Sequence, residues 1–219
     1  KGAARFVDST AALVDRFDTK TSAIVKPLRL ANPVDPDAQG VEVPTVHLEC
    51  YKLKDLKGQF RFAGRRVQIS SRFGDGTLDL KKAVALCLPS ALGESGPPEP
   101  VQGHQVDAFK CYKAKTTRGT AKFSKREVGL VDLFESKQTL VVRPTQFCSP
   151  VSKDGATVFH PDDNLACYKI KDARTDPRQS KFVRRDVFLG NTLGTEELTA
   201  LRSRQLCVPA LALDLGSLP

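Results

Sequence analysis

Cysteine is the residue of this sequence whose type and spacing most directly specify chemistry. The six cysteines fall into three pairs: Cys50 with Cys87, Cys111 with Cys148, and Cys167 with Cys207. The first member of each pair opens a Cys-Tyr-Lys tripeptide, in "LECYKLKD", "FKCYKAKT" and "LACYKIKD". The second always stands in Cys-x-Pro: Cys87-Leu88-Pro89, Cys148-Ser149-Pro150 and Cys207-Val208-Pro209. Six cysteines in a chain without Trp or Met favour an oxidising compartment and disulfide formation. Many connectivities are open to six cysteines, and a repeat favours the one that treats every unit alike. The expected bridges are therefore Cys50–Cys87, Cys111–Cys148 and Cys167–Cys207, each a structural staple. Closing a loop of this length stabilises by roughly 4 kcal/mol on the chain-entropy account.

Other reactive constellations are missing from the sequence. There is no Cys-x-x-Cys-His for haem, no Gly-x-Ser-x-Gly elbow, no phosphate loop and no His-Glu-x-x-His. His47, His104 and His160 all lie in linkers ahead of the Cys-Tyr-Lys segments and read as surface histidines. Asp35, Asp37, Asp162 and Asp163 lack the ligand spacing of a calcium loop and read as turn formers. The repeated lysines (Lys52 and Lys54, Lys113 and Lys115, Lys169 and Lys171) suit either a basic stripe for an acidic glycan or gatekeepers on strand edges. The expectation is a non-enzyme with neither metal nor cofactor.

The elements that hold these cysteines repeat as well. Phe73, Phe134 and Leu193 each lie 14 residues before a closing cysteine, and Phe62, Phe123 and Phe182 a further 11 upstream. This is a tandem repeat of about 60 residues. "VQI" (67–69) and "TLDLK" (77–81) alternate apolar and polar positions, and "TLVV" (139–142) is rich in strand formers. Pro and Gly punctuate the joins. "GTEELTALRSRQ" (194–205) could be helical in isolation, but its equivalents in the other units read as strand. The fold class is all-β: a tandem row of small disulfide-closed β units.

The first 33 residues align without a gap on the second unit. Phe6 falls on Phe123, Phe17 on Phe134 and Pro33 on Pro150. They read as a half-unit without its Cys-Tyr-Lys strand, and Ala31 stands where the closing cysteine would be. Arg65, Arg126 and Arg185 share a register that in the half-unit holds Ser9. Their joint loss with the tyrosine strand predicts a guanidinium-on-ring contact to Tyr51, Tyr112 and Tyr168. The organisation expected is a half-unit at 1–40, repeats at 46–93, 107–154 and 163–209, and a tail at 210–219.

Composition narrows the class further. The hydrophobic content of 40% and charged content of 27% describe a folded chain, and no run approaches the roughly 18 apolar residues of a membrane helix. Lys1 reads as the start of a processed chain whose secretion signal has been removed. A net charge of +9, scattered along the sequence, suits solubility or an acidic polysaccharide partner, with no specific nucleic-acid motif.

"HLECYKLK", "VQISSRFGDGTLDL" and "ALCLPS" resemble an uncharacterised tandem repeat of predicted secreted bacterial proteins. The resemblance covers most of the chain and implies a secreted β-repeat at the cell surface or outside the cell, without implying an activity. In the tail "ALALDLGSLP", Leu211, Leu213 and Leu215 alternate with small or polar residues. The expectation is a donor strand that inserts into the open half-unit of the next copy, along Phe6, Leu13, Phe17, Ile24, Leu30 and Ala31. Its assembly logic resembles donor-strand pilins and would build an extracellular filament of this chain. The alternative is a monomeric surface module that binds acidic glycan or protein.

Overall fold

The computed structural model describes residues 6–37, 40–41 and 43–218; Lys1 to Arg5 of the half-unit, Ala38, Gln39, Glu42 and Pro219 lie outside the described residues. The described chain is all β. The half-unit supplies β1 (Ser9–Val14), β2 (Thr19–Ala31) and β3 (Val34–Pro36). The first repeat supplies β4 (His47–Asp55), β5 (Arg65–Ser71) and β6 (Gly74–Gly93). The second supplies β7 (Phe109–Thr116), β8 (Arg126–Asp132), β9 (Ser136–Pro150) and β10 (Ser152–Lys153). The third supplies β11 (Asn164–Asp172), β12 (Arg185–Asn191), β13 (Gly194–Ala200) and β14 (Gln205–Ser217). The alternating segments singled out in the sequence lie in β5, β6 and β9, and 194–200 is a strand rather than a helix.

Each disulfide joins the Cys-Tyr-Lys strand of a unit to its own closing strand, at directly opposed positions: Cys50–Cys87, Cys111–Cys148 and Cys167–Cys207. Neighbouring bridges touch, with Cys87 Sγ 3.8 Å from Cys111 Sγ and Cys148 Sγ 3.7 Å from Cys167 Sγ. They form one sulfur-rich apolar cluster with Ala85 and Phe109. Six antiparallel pairings link seven long strands in the order β2-β4-β6-β7-β9-β11-β14.

The units are not separate beads in a row. Hydrogen bonding closes a ring of strands through β5, β6, β7, β9, β11 and β14. Its inside is filled by Val67, Ile69, Leu78, Leu80, Tyr112, Phe147, Ala166, Val208 and Ala210. A second ring runs through β1, β2, β4, β6, β7 and the β9–β10 strand, around Leu13, Ile24, Tyr51, Leu53 and Leu86. The two rings share β6, β7 and β9. A unit of about 60 residues is marginal on its own, and sharing strands lets every unit bury apolar surface in its neighbours.

One rule governs all four units: the stretch after the closing position pairs with the hairpin two units away. Thus β3 pairs with β8, the end of β6 with β12, β10 with β1, and the tail of β14 with β5. This corrects the expectation for the tail. It lies on β5 of its own chain, with Ala210 opposite Ser71 and Asp214 opposite Val67. Ala210 and Ala212 face the barrel interior, so the alternate residues Leu211, Leu213 and Leu215 are 73%, 61% and 49% exposed. The leucine alternation signalled a strand correctly, but the face buried is the alanine face, because the ring closed by β5 has room for small side chains there.

Candidate strand-acceptor seam

Burial of the three tyrosines follows one geometry. Tyr51, Tyr112 and Tyr168 are at most 2% exposed, and burial raises each phenol above its ordinary value. Each ring lies against a phenylalanine from the preceding unit: Phe6 at 5.3 Å, Phe62 at 4.8 Å and Phe123 at 5.0 Å. Each hydroxyl reaches a turn two units away. Tyr51 meets Asn191 at 2.8 Å, Tyr112 donates to Asp15 Oδ2 at 2.6 Å, and Tyr168 meets Ser71 at 3.1 Å. Asp15, Ser71 and Asn191 hold the same register position. Each also accepts the backbone N–H two residues on, at Phe17, Phe73 and Leu193, so one short side chain both forms the turn and caps the tyrosine.

The polar partners differ between seams. Glu49 Oε2 accepts from Tyr51 and from Asn191, both at 2.7 Å, and burial pushes its carboxyl up to about 7. The equivalent residue beside Tyr112 is Lys110, fully buried, which binds Asp18 and lies 3.9 Å from Asp15. Burial raises the Asp15 carboxyl, while Lys110 and Tyr112 pull it back down. Beside Tyr168 the same position is Ala166, and Ser71 is the polar partner.

The fourth position of this pattern is open. Asp132 repeats the turn, its Oδ1 accepting from Phe134 N at 2.7 Å and Glu135 N at 2.9 Å, but no described hydroxyl reaches its Oδ2. Phe134 and Phe182 stand 6.3 Å apart at 80°. Their equivalents Phe73 and Phe123 stand 6.4 Å apart at 87°, with Tyr168 against both rings at 5.2 and 5.0 Å. The aromatic frame is kept where no described tyrosine fills it. Phe73 is 6% exposed, whereas Phe134 is only half-buried and its ring is covered by Arg185 at 5.5 Å.

The backbone is open at the same place. Six antiparallel steps separate β2 from β14, so the two run in the same direction, and on the edges turned away from β4 and β11 no described strand pairs with β2 over 25–31 or with β14 over 205–209. One strand antiparallel to both would complete the sheet. On the β14 side the closing strand breaks at residues 201–204, all exposed, where β6 and β9 continue unbroken. On the β2 side Leu30 is half-buried, while its equivalents Leu86, Phe147 and Leu206 are 0%, 0% and 3% exposed. Loss of a pairing partner accounts for both: backbone groups that cannot be paired stay in water.

Arg29 stands at the centre of this seam. It replaces the Ala85, Gln146 and Gln205 of the other units, and its guanidinium donates to Gln146 Oε1 at 3.1 Å and to Gln205 Oε1. Burial lowers its pKa. Among the described residues no carboxylate forms an ion pair with it.

Of the residues expected to line an open groove, only Leu30 and Ala31 border the seam. Leu13, Ile24 and Phe17 are 0%, 0% and 6% exposed inside the two barrels, and Phe6 lies on Tyr51. The arginine–tyrosine contact is also corrected. Arg65 pairs with Asp214 at 3.5 Å and Arg185 stacks on Phe134, while phenylalanines pack against the tyrosine rings and the cation over Tyr112 is Lys110 at 5.4 Å rather than an arginine. The sequence pattern alone does not single out Arg29 or Asp132 as site residues. The signal available was the replacement of Ala or Gln by Arg29 in the one unit that also has Ala31 for cysteine.

Among the described residues no group of three or more His, Cys, Asp or Glu side chains converges on a metal-binding point, and no helix is long and apolar enough to cross a membrane. Comparison with known families, curated proteins and solved structures returns no match.

Proposed function

We propose that this protein is an extracellular structural subunit that joins other chains by β-strand complementation, with the seam between β2 and β14 as the acceptor. The observation that carries this reading is the 6.3 Å spacing of Phe134 and Phe182, which repeats that of Phe73 and Phe123, around a position that no described tyrosine fills. Three stapled strands in the same chain show what such a position accepts. Unpaired edges of this kind are ordinarily covered, and strand addition is a common way to cover them. The three disulfides support an oxidising, extracellular setting. Because the tail is engaged on β5, a donor from another copy would first have to leave that site.

Hydrogen exchange tests the acceptor. In the dispersed chain those amides of residues 28–31 and 201–206 that point away from β4 and β11, into the seam, should exchange much faster than the amides of residues 85–88. In native assembled material they should become protected. Equal protection in the dispersed chain would show that the seam is already closed and would overturn the reading.

One observation favours the monomeric alternative, an acidic glycan or protein ligand. A cavity of about 250 Å³ near the tail is lined by Arg61, by Lys20 and Arg65, which pair with Asp55 and Asp214, and by Asp18, beside Phe60, which is 95% exposed. Electron microscopy separates the two: long regular fibres favour strand joining, and discrete particles favour the module.

A further inference from the structure

The three filled seams record what each position of an accepted strand must satisfy. This inference rests on the acceptor reading above and goes on to the chemistry of the strand. In the filled seams the tyrosine lies opposite Leu86, Phe147 or Leu206, the residue after it opposite Ala85, Gln146 or Gln205, and the residue before it opposite a cysteine. By the same register, an accepted tyrosine lies opposite Leu30, its follower opposite Arg29 and its predecessor opposite Ala31.

The follower is a lysine in all three resident strands, facing a neutral residue each time. Opposite Arg29 a lysine would place like charges in a direct cross-strand pair, which is destabilising. An acidic follower would instead give the Arg29 guanidinium the carboxylate it lacks. The predecessor faces Ala31, so a cysteine has no bridge to form and a small residue suffices. The position two before the tyrosine is decided by the turn beneath it. Only one filled seam has a turn with two carboxylates, Asp15 and Asp18, and there the strand carries Lys110. The open seam has Asp132 and Glu135 at those register positions. Glu49 of β4 would meet them with like charge.

We infer that the strand accepted at this seam reads Lys-small-Tyr-acidic, its tyrosine seated between Phe134 and Phe182 with the hydroxyl donating to Asp132 Oδ2. None of the resident strands satisfies this pattern, since β4, β7 and β11 all carry lysine after the tyrosine. The accepted strand is therefore a distinct segment rather than one of the Cys-Tyr-Lys strands of a second copy. It is also the only one of the four held without a disulfide, which makes the joint separable.

Three peptides offered to the 219-residue chain test this by calorimetry. The first is residues 108–116 with Cys111→Ala and Lys113→Glu. The second carries Cys111→Ala alone and so keeps the lysine. The third is the tail, residues 209–217. The first should bind at least about tenfold more tightly than the second. Arg29→Gln, which installs the residue found in the second and third units, should abolish that preference, and Asp132→Asn should weaken the first peptide. Equal binding of the first two would overturn the charge pattern while leaving the acceptor standing. Tightest binding by the tail would assign the seam to a second copy's tail and overturn the tyrosine pattern. Binding by none, with no added amide protection in β2, would overturn the acceptor itself.

Discussion

The seam around Tyr168 and the seam around Phe134 are built on matching pairs of phenylalanines at the same register, and the first holds a strand that the second lacks among the described residues. In the first, Phe73 and Phe123 enclose a ring, the Cys167–Cys207 bridge fixes the strand, and a phenol reaches Ser71. In the second, Phe134 and Phe182 hold almost the same spacing with no described tyrosine between them and Arg185 over the Phe134 ring, the bridge is replaced by Ala31, and the closing strand loses its pairing at residues 201–204. The aromatic frame does not depend on the tyrosine for its shape. It is set by the hairpins that carry the phenylalanines, and those hairpins are fixed by their own turns and by tails from two units away. A frame that stands without its occupant is pre-organised, which lowers the ordering cost of filling it.

The largest expected difference between the two seams lies in their phenylalanines. Phe73→Ala removes a buried ring packed on Tyr168 and Phe123 and should cost about 3–5 kcal/mol. Phe134→Ala, at the same register, should cost less, about 1–2 kcal/mol, because that ring is only partly buried and packs against no described tyrosine. Denaturant unfolding of the two variants checks this; equal losses would mean that the open seam is packed as tightly as the filled one.

The Tyr51 seam offers a smaller effect with a sign. Its carboxyl, Glu49, is raised to about 7 by burial, so the folded state holds a proton that the unfolded state releases near the ordinary value of 4.5. Stability from this group is complete below about pH 4.5 and is lost as pH rises through about 7, a change of about 2–3 kcal/mol. Glu49→Gln keeps a side-chain oxygen for Tyr51 and should flatten the unfolding free energy across that window. A slope unchanged by the substitution would place the dependence elsewhere.

The smallest effect belongs to the tail. Leu213 is 61% exposed beside a buried alanine face, so Leu213→Asp should change stability by less than about 0.5 kcal/mol. A loss of several times that amount, read from the same unfolding curves, would mean that the leucine face is covered in solution.

Much of this architecture is legible in the order of residues. Cysteine spacing, repeated three times, identifies the bridges, since residues that oppose each other across a short antiparallel pair need only a constant separation. Alternation of apolar side chains marks β5 and β6 as strands, because a pleated backbone turns successive side chains to opposite faces, and strand-forming residues mark β9. Ala31 and the offset of the first 33 residues mark the one unit built differently. Alternation cannot say which face is inward, and the tail shows this plainly: Leu211, Leu213 and Leu215 carry the apolar signal, yet Ala210 and Ala212 are the residues turned to the core. Nor does a local pattern specify that each tail crosses to the hairpin two units on, which turns a row of repeats into closed rings. That choice, like the meeting of Arg29 with Gln146 and Gln205 across the molecule, arises from pairings between residues more than a hundred positions apart. Only closure of the sheet brings them within reach.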